Sequence, residues 1–308
     1  MTTDVPELPQ VRNCATDQVH DRLLREVPDY AASRVAVENA YFFASEEFDG
    51  VPRIGVTTIP VVVHIVGGPD RAGAVTDEQV ANQIDILNAD YSASNPDMKS
   101  VPEPFQGLIA DTQIRFVLAD LDPDGLATSG INRVASEVVT FSADDDAVKF
   151  APTGGADAWP AERYLNLWIC GLAGGLLGYA QFPGGPPETD GVVITYTAVG
   201  TGGTAKAPFD LGRTATHEIG HWLNLRHIWG DDDTGCSGSD FVDDTPNAAG
   251  PNTGMPTFPS ISCNNGPTGD LFVNYMDYTD DAGMMMFTAG QAFRMQAALD
   301  AARPTFGA

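Results

Sequence analysis

The chain is poor in positive charge and in histidine, and it has no long apolar run. Its 308 residues carry 16 Lys and Arg against 42 Asp and Glu, a formal net charge of −26. So few cations leave no basic patch for phosphate backbones or anionic headgroups, which argues against nucleic acid and charged membranes as partners. No stretch of about twenty apolar residues occurs, which excludes a helical membrane span. The opening MTTDVPELPQVRNC lacks the basic and apolar regions of a signal peptide, so none is read there. What remains is an ordinary globular balance, 43% hydrophobic and 19% charged, long enough for one large or two small domains. The acid excess reads as a solubilising surface, with local Asp clusters as candidate cation sites.

The first fifty or so residues differ from the rest. VHDRLLREVPDYAASRVAVENAYFFASEEFDG reads as charged helices broken at Pro28, with no strand. From Thr57 the β-branched run TTIPVVVHIV predicts a buried strand, and residues 114–122, 163–172 and 191–199 predict three more. TDEQVANQIDILNADYS reads as an amphipathic helix, with Thr76 and Gln79 as a capping box and Val80, Ile84, Leu87 and Tyr91 on one face. Residues 232–278 are rich in Gly, Pro, Asn and Asp, too long for a plain loop, so ions or a disulfide are expected to hold them. TAGQAFRMQAALDAAR closes the chain as a helix, with Phe293, Met295 and Leu299 available to pack. Strands interleaved with helices give an α+β or α/β class up to the histidine helix.

Histidine is scarce, yet three of the five fall in TATHEIGHWLNLRHIWGD. His217 and His221, four apart on a helix, place both imidazoles on one face where they can grip one ion. Glu218 stands beside them as a candidate general base. His227 follows His217 by ten residues, about 15 Å along an unbroken helix, too far to share that ion. The chain must therefore turn back, and Asn224 tolerates the left-handed conformation such a turn needs. His227 then completes a three-nitrogen site with room for water.

HEIGHWLNLRH resembles the extended zinc signature of the metzincins, HExxHxxGxxH, with Asn224 where most members carry Gly. NYMDY resembles their Met-turn, which makes Met276 the soft hydrophobe under the metal. Together with RHIWGDD, FVDDTP and CNNGPTGDLFVNYMDY, the match is to the pappalysin family on its ulilysin-like microbial branch, over roughly residues 55–300. The resemblance implies a secreted zinc endopeptidase in which Glu218 takes the proton of the attacking water. It implies that Tyr278 contacts zinc or the transition-state oxyanion; a packed turn residue is the competing reading. LLGYAQFPGG resembles the rim strand that pairs with extended substrates, with a plain surface loop as the alternative.

The resemblance also implies a disulfide between Cys236 and Cys263, and it puts a second bridge at Met255 and Gly283, where this chain has no cysteine. Cys170 reads as a buried thiol. Cys14, in VRNCATD, matches an Arg-x-Cys-x-Thr element of the family's pro-segment, implying a latent form in which its thiolate occupies the zinc's open position. A bridge to Cys170 and an idle thiol are the alternatives. Asp240, Asp244 and Thr245 in SGSDFVDDTPN are hard oxygen donors for Ca2+, as in the family; turn chemistry alone is the rival explanation. His64 reads as a core histidine.

The expected architecture is α+β of metzincin type. A pro-segment spans residues 1–52 and a catalytic domain 53–308, with an upper subdomain over about 53–224 and a lower one over about 225–308. The upper part holds a mixed sheet and the active-site helix, the lower part irregular chain and the C-terminal helix. The expected partners are peptide substrates and the chain's own pro-segment. Relatives favour Arg after the scissile bond, which points to activation before Arg53, or second before Arg34, with Asp280 and Asp281 as contributors to that preference. The rival function is a zinc- and calcium-stabilised binding module without catalysis. Glu218 argues against it, since a structural zinc site closes its fourth position and needs no base.

Overall fold

The computed structural model describes residues 9–46, 55–230 and 235–307, the side chain of the last excepted. Its centre is β1 (Thr57–Val66), whose β-branched run is buried almost throughout. On one side β1 pairs in parallel with β2 (Ile114–Leu118) along its first half and with β3 (Ile131–Val134) along its second. On the other side lie β4 (Leu165–Cys170) and β6 (Val192–Thr195), also parallel, and finally β5 (Gly178–Ala180), antiparallel at the edge. Pro60, which cannot donate to a ladder, sits where β1 has only β2 beside it.

One face of this sheet packs on α3 (Asp77–Tyr91) and α4 (Arg213–Trp222). Ile59, Val61, Leu167 and Ile194 meet Leu87, Tyr91, Ile219 and Trp222 there, in a core that runs on into the lower half through Met276, Phe287 and Met295. The opposite face is covered from the N-terminus. α1 (Thr16–Glu26) lays Val19 and Leu23 against Phe141, Trp168 and Tyr179, joined by Tyr30 from the start of α2 (Tyr30–Ser45). The lower half is irregular, with a short pair β7 (Thr253–Gly254) and β8 (Tyr278–Thr279), and closes with α5 (Ala289–Ala302), on which α2 rests. The Cys236–Cys263 disulfide staples it.

Several expectations change in detail. The strand expected over 114–122 stops at Leu118, because the Asp122 carboxylate folds the chain into a turn by accepting from Asp124 N and Leu126 N. The one over 191–199 ends at Thr195 and continues as a single 3-10 turn. β3, short and half polar, carries no strand signal in the sequence. Thr76 caps α3 by accepting from Gln79 N, but the Gln79 amide leaves the box to bond Val199 O. A reciprocal capping box stands instead at Thr288 and Gln291. Cys14 and Cys170 are both free thiols, so no bridge joins them. Met255 and Gly283 do face each other: a Cβ added at Gly283 would lie 3.4 Å from the Met255 sulfur.

His64 behaves as the core residue expected, stacked on Trp168 and bonded through Nε2 to Asn166 at 3.0 Å. Burial pushes it down to about 4. The unfolded imidazole takes a proton near 6.5, so below that pH the unfolded state binds a proton the native state does not. Stability should therefore fall as pH drops from 6.5 toward 4, by about 2 kcal/mol between pH 7 and 5 from this group alone. Urea unfolding of a Glu218→Ala background at both pH values measures it. A slope unchanged in His64→Gln would show that His64 is not the source.

Candidate metal centre and active-site cleft

α4 is short because its end is required to turn. Leu223 closes the last helical turn, and Asn224 takes φ 77, the left-handed conformation expected of it. The return brings His227 back beneath the helix. The three Nε2 atoms then converge: His217 and His221 at 3.2 Å, His221 and His227 at 3.1 Å, His217 and His227 at 3.3 Å. Nδ1 of His217 meets Tyr275 O at 2.7 Å, and Nδ1 of His221 meets Leu225 O at 2.8 Å. Each of these nitrogens must donate, which leaves the Nε2 lone pairs aimed at one another. Burial drives His221 down to about 3 and holds His217 well below the usual imidazole range, which favours the neutral ring in both.

The lone pairs of His217 and His221, crowded with the His227 nitrogen at this spacing, are best satisfied by a shared cation. Ligands at the usual zinc–nitrogen length in a tetrahedral site stand about 3.3 Å apart, which is the spacing found. The donor set fits zinc, and the Cys14 sulfur falls within 4.8 Å of the same group.

The surroundings are built for close approach. Met276 is fully buried under the site, and a Cβ at Gly220 would come 2.5 Å from its sulfur, so only glycine fits in the helix there. Gly178 on β5 has the same function for Glu218, whose carboxylate lies 2.7 Å from where a Cβ would be. Tyr278 packs its ring 4.8 Å from that of His227, and its hydroxyl reaches Cys14 O at 3.5 Å. Burial raises Glu218 to about 7, against the hydrogen bonds of Cys14 and Thr16 that lower it.

The N-terminal chain passes through this site. Cys14 Sγ lies 3.2 Å from Glu218 Oε2, and the Thr16 hydroxyl donates to the same oxygen at 3.1 Å. Burial and the nearby Glu218 push the Cys14 thiol up to about 12. Residues 13–16 run parallel to β5: Leu177 N donates to Asn13 O, Ala15 N to Gly178 O, and Ala180 N to the Thr16 hydroxyl. Arg12 drives into the lower wall, donating to Asp281 at 2.5 Å, to Thr279 O at 3.1 Å and to Thr214 at 3.2 Å. Asp281 also accepts from Leu211 N and Arg213 N at the start of α4, where helix-terminal N–H groups favour an anion.

Arg12, Thr16 and Asp17, whose carboxylate lies 3.4 Å from His227 Nδ1, carry no individual signal in the sequence. The Arg-x-Cys-x-Thr spacing held the first two, but only its sulfur was given a role. Of the acidic pair, Asp281 is fully buried and Asp280 half-buried. The expected calcium donors divide. Asp240 and Thr245 meet at 2.7 Å, whereas Asp244 spends its oxygens on Thr288 and Gly290 N at the head of α5. Arg34, the second activation point expected, is buried in α2 and bonded to Asn224 and Glu38, so the cleft cannot reach its bond. Arg53 and the 52/53 boundary lie outside the described residues.

Comparison with known proteins agrees with the geometry. Residues 153–300 match the peptidase family described as "Pregnancy-associated plasma protein-A". An extracellular metalloprotease of Pyricularia oryzae is 32% identical over 79% of this chain and 75% of its own length. Extracellular metalloprotease 1 of Coccidioides posadasii is 32% identical over 83% and 84%. Among solved structures, a promirolysin mutant from Tannerella forsythia is 43% identical with a TM-score of 0.87, covering 96% of this chain and 97% of that one. Mature mirolysin of the same organism, in complex with a cleaved peptide, is 47% identical with a TM-score of 0.80, covering 83% and 96%. With its three convergent histidines, its buried Glu218 and its methionine underlay, the chain belongs to the pappalysin family of metallopeptidases.

Proposed function

We propose that the chain is a secreted zinc endopeptidase made as a zymogen, silenced by its own first fifty or so residues. The observation that carries this is Cys14, whose sulfur lies within 4.8 Å of the three histidine nitrogens and is hydrogen-bonded to Glu218. His217, His221 and His227 would hold the ion. When bound, it would supply Lewis-acid polarisation of a peptide carbonyl and make a nearby water more acidic. Glu218 takes the proton of the attacking water and passes it to the leaving amine. Tyr278, whose ring packs against His227, would donate to the developing oxyanion. Gly178 and Ala180 offer the edge backbone that orients the substrate.

The silencing role of the N-terminal segment rests on three supports. The mature mirolysin structure spans 83% of this chain and the promirolysin structure 96%, consistent with a division into residues 1–52 and 53–308. A cation at the histidines is the counter-charge that would favour the Cys14 thiolate over its buried thiol. The polarity of the segment is also wrong for hydrolysis. A substrate cut before an arginine runs from the metal toward Asp281, whereas residues 12–14 run from Asp281 toward the metal. Arg12 seated on buried Asp281 is the support for a preference for Arg after the scissile bond. Secretion is supported by the extracellular relatives and by the disulfide.

Calcium joins the proposal through Asp240. Burial raises this carboxylate to about 7, and a hard cation there would offset its lost hydration. Added Ca2+ should raise the melting temperature, and EGTA, at a level that spares zinc, should lower it. A melting temperature indifferent to both removes the ion from this loop.

Glu218→Ala should keep its zinc and its fold but lose casein cleavage by at least about 10³-fold. Cys14→Ala should process itself sooner than wild type. Wild-type turnover in zinc-loaded Glu218→Ala would sink the mechanism, and unaltered latency in Cys14→Ala would leave plain steric cover. Asp281→Asn keeps an acceptor for the start of α4 but loses the charge. It should lower kcat/KM for peptides with Arg after the bond by about 2–3 kcal/mol, roughly 30- to 150-fold, and spare peptides with Leu there. Equal losses on both would assign Asp281 to the helix alone.

A further inference from the structure

The N-terminal segment is fastened at two separate docks. The first is the cleft itself, with Arg12 on Asp281 and Cys14 and Thr16 on Glu218; α1 extends it through Arg22, whose guanidinium pairs with buried Asp146. The second lies on α2. Arg34 donates to Asn224 Oδ1 at 2.7 Å and to Pro183 O at 3.0 Å. Glu38 accepts from Arg34 and from fully buried Arg294, each at 2.8 Å. The Tyr41 hydroxyl donates to Phe241 O at 2.6 Å. All these anchors fall between residues 12 and 41.

Between the docks the chain makes a corner. α1 ends at Glu26, Val27 is extended, Pro28 follows, and Asp29 takes φ 68. Leu24 is 42% exposed, and Arg25 and Glu26 are exposed beside it. The other described arginines of the segment are engaged: Arg12 and Arg34 are buried, and Arg22 is held by Asp146.

We propose that the Leu24–Arg25 bond is the processing site that ends latency, and that a cut between α2 and β1 leaves the segment bound as a noncovalent inhibitor. This rests on reading the segment as an inhibitory pro-segment and on the preference for Arg after the scissile bond. A cut beyond residue 46 severs none of the anchors named above. Two docks on one chain hold each other in place, and such linkage raises apparent affinity roughly 10²- to 10⁴-fold over either alone. Hydrolysis by a second molecule breaks the Leu24–Arg25 amide, giving a carboxylate on Leu24 and an amine on Arg25, and that gain is lost. The last turn of α1 lies between the two docks, and being exposed and followed by a bend it opens at low cost.

The test follows self-processing of the zinc-loaded full chain by mass spectrometry, gel filtration and turnover of a fluorogenic peptide. Activity should rise with the 24/25 cut, and before it the cut segment should co-elute with the rest. Arg25→Gln should become active at least tenfold later while its later cut proceeds unchanged. Synthetic residues 9–46 should inhibit the processed protein with a Ki at least 100-fold below that of 9–24 or 25–46. Activity that tracks the later cut, or Arg25→Gln that activates like wild type, overturns the site. Half-segments as potent as the whole overturn the two docks. Cuts that map to bonds without a following Arg would instead remove the Arg preference, and the peptide comparison would still decide the docks.

Discussion

Three imidazole nitrogens crowded Nε2 to Nε2 at 3.1 to 3.3 Å are the constraint around which the rest is arranged. Nothing in a protein core favours such a convergence, so the surrounding structure must impose it. Backbone carbonyls of Tyr275 and Leu225 fix two of the rings by their far nitrogens. The left-handed turn at Asn224 delivers the third. Arg294 of α5 then holds the Asn224 carbonyl at 2.8 Å, so the C-terminal helix steadies the turn that places the ligand. Met276 fills the space beneath, and glycine at 220 is what lets it come so close.

The N-terminal segment is built into this arrangement as deeply as the catalytic chain is. It extends the edge of the sheet, completes an apolar cluster on the sheet's outer face, and sets a carboxylate against Arg294. Arg34 reaches the side chain of Asn224, an acceptor that a glycine at this position would lack. The departure from the metzincin signature therefore serves the segment as well as the turn.

The convergence of the three histidines was legible because a helical period and one impossible distance decide it: four residues place two histidines together, and ten forbid the third without a turn. The strand TTIPVVVHIV was legible for a similar reason, a run that only a buried sheet satisfies. What stayed hidden depends on partners far along the chain. β3 is a short, half-polar segment that exists because β1 has a free half-edge beside it. Asp244 looked like a calcium ligand among its neighbours, yet it serves a helix 44 residues on. Arg12 and Asp281 are 269 residues apart, and neither is unusual until the other is placed against it. Arg34, an ordinary helical arginine in sequence, is locked by a side chain 190 residues away.

The parallel course of residues 13–16 along β5 has a consequence for ligand design. If substrates pair with the same strand in the opposite sense, one row of backbone donors and acceptors would serve two chain polarities, and only one of them would present a scissile bond in reacting orientation. A short synthetic peptide written with arginine first and a thiol two residues later would bring its guanidinium and its soft donor to their places in the unreactive sense. Selectivity would then come from Asp281 and potency from sulfur, in a molecule the enzyme can hold and cannot cut.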